Sequence, residues 1–119
     1  MGKEDKLRIL AGVLLIISAI THVSQLFIFG FDWHQIVAAV YGAFYAILGI
    51  LLIYLKNNKL LLLFISVVLI IGGTYGFIRF IIILTTENVF NYFNLFHVIV
   101  DIIVVPICLD LYLKFKKEN

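Results

Sequence analysis

The sequence predicts an all-α protein, an integral membrane antiparallel four-helix bundle with its N- and C-termini cytoplasmic. Three observations lead there. Of the 119 residues, 64% are apolar or aromatic and only 13% charged, with a mean hydropathy of +1.15, an excess that a water-soluble domain does not carry. The apolar residues gather in four stretches, about 9–30, 33–55, 60–84 and 90–115, each long enough to cross a hydrocarbon core that takes about 20 helical residues. Eight of the nine basic residues then fall on one side of such a bundle. The whole chain, 1–119, reads as a single transmembrane domain.

Helices follow from the solvent. In lipid the backbone must satisfy its own hydrogen bonds, which restricts spanning structures to helices and closed barrels. The stretches lack strict alternation and are more than twice the length of a barrel strand. The first, 9–30, follows Lys3, Lys6 and Arg8 as a secretory signal would, but its apolar run is too long and no small-x-small cleavage site follows, so it reads as a retained helix. The second, 33–55, begins after Asp32 and carries Ala38, Gly42, Ala46 and Gly49 along one side. The third, 60–84, follows the basic turn at Lys56 and Lys59 and carries Gly72 and Gly76. Such small residues let helices approach closely, and these stripes predict tight packing of the second helix on the third, or a contact between chains. The fourth, 90–115, contains Pro106, which removes a backbone bond to the Ile102 carbonyl and predicts a bend.

The connections are short, which makes neighbours antiparallel and leaves no room for a separate aqueous domain. Lys3, Lys6, Arg8, Lys56, Lys59, Lys114, Lys116 and Lys117 share one side, while the other loops carry Asp32 and Glu87. The positive-inside rule makes the basic side cytoplasmic and the protein an integral, multi-pass plasma membrane protein. Phe31, Trp33, Phe90, Tyr92 and Phe93 form the outer aromatic belt, Tyr54 and Tyr112 the inner one. A net charge of +2 in this setting excludes nucleic-acid binding. One Cys and one Pro exclude an intrachain disulfide framework, a CxxC site and a Pro-rich linker.

Polar residues within the spans each need a reason. Ser18, His22 and Gln25 share a face of the first helix. Tyr41 and Tyr45 stand beside the small stripe of the second, Tyr75 and Arg79 beside Gly72 and Gly76 on the third, and Asn94, His97, Asp101 and Cys108 form a stripe on the fourth. His22, Gln25, Tyr41, Tyr45, Tyr75, Arg79, Asn94, His97 and Asp101 therefore form a candidate ligand- or proton-binding set in the outer half of the bundle. Arg79 either snorkels to the outer headgroups or is buried against Asp101 or a bound anion, and the face it shares with two glycines favours burial. His97, one turn before Asp101, can hold the carboxylate by a hydrogen bond, as a structural knot or as part of a proton relay.

His22 and His97, as imidazoles on different helices, also raise a haem-binding electron-transfer subunit. Zinc would need more ligands than His22, His97 and Asp101, with Cys108 two turns away. His34, beside Trp33, reads as solvated, Cys108 as an apolar filler, and Asp110 as a surface partner of Lys114. No nucleophile with base and orienter can be assembled, so an enzyme is the least supported class. In size and helix count the chain resembles the small multidrug transporters. That resemblance implies a dimer; however, the first span carries His22 and no glutamate, so proton-coupled drug exchange of that kind is not implied. The leading expectation is binding, with translocation as an extension, of a proton or a small polar or anionic ligand. The alternative is an accessory or structural subunit of a larger membrane complex, and haem comes third. The bilayer is the one partner the composition requires, a homodimer or larger complex being optional, and no cofactor is specified.

Overall fold

The computed structural model describes residues 2–56 and 58–118, without the side chain of Glu118; Asn57, in the second connection, lies outside the described residues. It contains α1 (Lys3–Phe29), α2 (Trp33–Tyr54), α3 (Lys59–Thr86) and α4 (Tyr92–Glu118), and all four are long and apolar enough to cross a membrane. The helices outrun the apolar stretches chiefly at the basic end. Lys3 to Arg8 and Lys116 to Glu118 are good helix formers that continue a helix beyond the region where lipid demands one. The molecule is 50 Å long, close to the thickness of a bilayer with its headgroup layers.

Local chemistry sets the helix ends. Asp32 Oδ1 accepts from Gln35 N at 2.9 Å and Asn58 Oδ1 from Leu61 N at 3.0 Å, capping α2 and α3 at donors that have no partner inside the helix. Asn91 Oδ1 accepts from Phe93 N at 3.0 Å and Asn94 N at 3.2 Å and does the same for α4. Gly30 closes α1 at φ 102°, and Asn88 turns the third connection at φ 55°, conformations that these two residue types tolerate. α4 continues through Pro106 as one helix.

The helices pack in cyclic order α1–α2–α3–α4 with antiparallel neighbours. Gly12 faces Gly49 and His22 faces Gly42, while Gly73 faces Asp101 and Gly76 faces His97. Most of the small residues therefore serve the α1–α2 and α3–α4 seams, and of those in the stripes Gly72 alone among the described glycines meets α2 from α3. Gly42 receives the His22 side chain, and Gly72 makes room for the Tyr41 and Tyr45 rings; only the rotation of each helix decides this, and a stripe of glycines does not encode its partner. α2 and α3 approach each other sparingly, with the Tyr41 hydroxyl donating to the Val68 carbonyl at 2.7 Å.

Two halves differ in filling. The basic half is an apolar core that includes Ala11, Leu15, Leu48, Leu52, Leu62, Ile65, Val104, Cys108 and Leu111. The outward faces are apolar: Leu60 and Phe27 are each 77% exposed and Ile102 65%. Such surfaces need lipid, which makes the chain a membrane-spanning protein.

Arg8, read from the sequence as part of the basic flank, is only 7% exposed. Its Nη1 donates to the carbonyls of Leu52, at 2.7 Å, and Ile53, while Nη2 pairs with Asp5 at 3.4 Å and Asp5 with Lys56 at 3.2 Å. A cation thus satisfies carbonyls at the negative end of α2. Arg8→Ala is expected to lower stability by about 2 kcal/mol, the scale of lost hydrogen bonds from a charged donor, with Arg8→Lys recovering part of it in thermal melts followed by circular dichroism. Lys114 pairs with Asp110 at 3.2 Å, as the spacing predicts.

Candidate functional site

The polar stripes of α1, α2 and α4 converge. His97, 2% exposed, is held at both ring nitrogens: Ser18 Oγ lies 3.2 Å from Nδ1 and Asp101 Oδ2 lies 3.2 Å from Nε2. Tyr45 donates to the same Oδ2 at 3.2 Å. With the ring proton on Nε2 the Ser18 hydroxyl donates to Nδ1, and Nε2 stands against the Asp101 carboxylate as a close polar neighbour. Asp101 Oδ1 is buried without a partner among the described residues, and Oδ2 lies against Gly73, where an added Cβ would stand 2.8 Å from it.

Ser18, His97 and Asp101 therefore form the string of hydroxyl, imidazole and carboxylate that the sequence alone did not assemble. Ser18 is fully buried and does not line the adjoining cavity, so a substrate there has no access to its hydroxyl. The string ties α1 to α4, with Tyr45 adding α2.

His22 stacks on His97, ring centroids 4.3 Å apart and tilted by 33°. Gln25 Nε2 lies 3.1 Å from His22 Nδ1, which leaves the His22 proton on Nε2. This placement differs from the one that the haem expectation describes. Two axial imidazoles must point their nitrogens at one iron from opposite sides of the porphyrin, whereas these rings lie face against face and both nitrogens of His97 are engaged.

Beside this cluster lies a cavity of about 280 Å³, walled by all four helices. His22 and Gln25 contribute from α1, His34, Gln35, Ala38 and Tyr41 from α2, Gly72, Tyr75, Gly76 and Arg79 from α3, and Asn94 and His97 from α4, with Asn91 just before it. It occupies the end of the bundle opposite the basic residues. Gly72 and Gly76 supply wall without side chain, and α2 and α3 touch only sparingly.

Arg79 is half-buried and lines this cavity. It makes no ion pair among the described residues, so its expected pairing with Asp101 is not formed. The reason is depth: Asp101 is level with Gly73, and six residues of helix put Arg79 about 9 Å further along the axis. Of the sequence-derived set, His22, Gln25, Tyr41, Tyr75, Arg79, Asn94 and His97 line the cavity, while Tyr45 and Asp101 sit behind it. Tyr75 is at the rim, 53% exposed. Gln35 and Asn91 are additions, and their place in the first turn of α2 or just before α4 was the available signal; His34 also borders the cavity and is exposed, in keeping with its reading as solvated. No known protein family, curated protein or solved structure matches the chain, so the chemistry of the cavity carries the functional argument.

Proposed function

We propose that the protein sits in the plasma membrane with its basic end, including both chain termini, cytoplasmic, and binds a small anionic or polar ligand in the cavity at the opposite end. The observation that carries this reading is the composition of the wall: a guanidinium, three imidazoles and the amides of Gln25, Gln35, Asn91 and Asn94, with no carboxylate among the described lining residues. A cation at membrane depth without a counter-charge favours an anion. The neutral donors around it favour oxygen acceptors, and the half-open cavity suits a small ligand.

Binding is better supported than passage. Beneath the cavity the Ser18–His97–Asp101 string ends among Leu, Ile and Val side chains, so translocation of a ligand or proton requires rearrangement or a second copy. The alternative, an accessory subunit of a larger membrane complex, draws support from the same buried string, which fixes three helices whether or not anything binds.

Thermal stabilisation of protein in nanodiscs of uncharged-headgroup or zwitterionic lipid, titrated with phosphate, sulfate and small carboxylates, tests the reading. A saturating anion is expected to stabilise the protein by about 2.7 kcal/mol at 100 times its Kd, and Arg79→Gln to abolish the effect without unfolding the protein. Absence of stabilisation by any anion, or stabilisation unchanged in Arg79→Gln, sinks it and favours the accessory role.

A further inference from the structure

We propose that the ligand is a membrane amphiphile, its anionic headgroup seated by Arg79 and its chain lying along α2. This rests on the anion-binding reading above and adds the source of the anion.

A second recess of about 490 Å³ runs along the lipid-facing side of α2, lined by Trp33, Ile36, Val37, Val40, Tyr41 and Phe44. Residues at this spacing form one helix face, and the span from Trp33 to Phe44 is about 16 Å at the helical rise. Apart from the Tyr41 hydroxyl, which is committed to the Val68 carbonyl, the side chains are hydrocarbon or aromatic. Val37 and Tyr41 belong to both the recess and the Arg79 cavity. A polar chamber and an apolar trough thus share a wall.

The polarity runs in the direction an amphiphile needs. Arg79, His34 and Asn91 lie toward the membrane surface, and the trough descends from Trp33 to Phe44 toward the interior. The sparse α2–α3 seam offers sideways entry from the bilayer, past Tyr75 and Ile71 at the rim. A water-borne anion such as free phosphate would use the chamber alone. A lipid-borne headgroup uses both features and arrives already at the right depth.

The test compares dodecyl phosphate, inorganic phosphate and dodecyltrimethylammonium on the full chain in phosphatidylcholine nanodiscs. Thermal stabilisation gives affinity, and emission from Trp33, the single tryptophan, reports on the trough. Dodecyl phosphate is expected to bind at least about tenfold more tightly than inorganic phosphate, because each buried methylene adds affinity, and to shift Trp33 emission. Val40→Phe, which narrows the trough at a residue 66% exposed, is expected to weaken dodecyl phosphate about tenfold and leave inorganic phosphate unchanged. Arg79→Gln is expected to remove the binding of both.

Equal affinity for the two phosphates together with an unaffected Val40→Phe variant overturns the amphiphile and leaves the anion site standing. Failure of both phosphates, or equal binding of dodecyltrimethylammonium and dodecyl phosphate with no dependence on Arg79, overturns both readings.

Discussion

Leucine in place of Gly49 is expected to drive α1 and α2 apart and to destabilise the bundle by about 3 kcal/mol, at the upper end of what overpacking usually costs. A Cβ at Gly49 would stand 2.6 Å from the carbonyl oxygen of Gly12, and one at Gly12 2.8 Å from the carbonyl of Gly49. The two backbones are in direct contact, so no side chain can rotate out of the way. The helices themselves must move, and the Arg8 bonds to the end of α2 lie one turn further along the same seam. Gly49→Ala is expected to act in the same direction with a smaller effect. Ile50→Leu, at a neighbouring residue 48% exposed, is expected to leave the melting temperature unchanged. Equal melting of wild type and Gly49→Leu would remove backbone contact as the basis of the α1–α2 seam.

Removal of His97 is the second large effect. His97→Ala leaves Ser18 Oγ, the Tyr45 hydroxyl and Asp101 Oδ2 short of a neighbour and opens a void against the His22 ring. Loss of a buried aromatic-sized side chain costs about 3 kcal/mol or more, and most of the effect comes from packing, since single polar contacts between membrane helices average only about 0.6 kcal/mol. Asp101→Asn is the informative contrast. It keeps the shape, and one oxygen of Asp101 already lacks a partner among the described residues, so its stability change is expected to stay within about 1 kcal/mol. Chemical denaturation in nanodiscs, read by circular dichroism, compares the two. A larger loss in Asp101→Asn than in His97→Ala would mean that charge, and not packing, holds the cluster.

The four spans and their turns were legible because lipid imposes length and apolarity on every helix, and Asp32, Asn58 and Gly30 mark ends by their own backbone chemistry. The convergence of His22, Gln25, Tyr45, His97 and Asp101 was legible too, since helical spacing puts each helix's polar residues on one face and that face avoids lipid. What the sequence could not supply was the relative height and rotation of the helices. Gly73, not a residue nearer Arg79, meets Asp101, and that register separates the guanidinium from the carboxylate. Arg8 escaped for a related reason: five charged residues before an apolar run read as a solvated flank, and only the position of the α2 C-terminus shows that a guanidinium is wanted there. The glycine stripes announced close contacts without naming partners. Gln35 carries no mark in the sequence, because a residue in the first turn of a membrane helix reads as surface until a gap beside it is visible.

The most direct test of the central claim, that the chamber around Arg79 holds an anion, is chemical protection inside it. Ala38 lines the chamber and is half-buried; Cys108 is buried in the core and serves as the unreactive background. With Ala38→Cys in nanodiscs, the rate of modification by a small maleimide is measured with and without dodecyl phosphate or inorganic phosphate. The account predicts that at least one of the two slows the reaction about tenfold or more at ten times its Kd or above, as simple occupancy requires, and that Arg79→Gln removes the protection. An unchanged rate with both anions would contradict it.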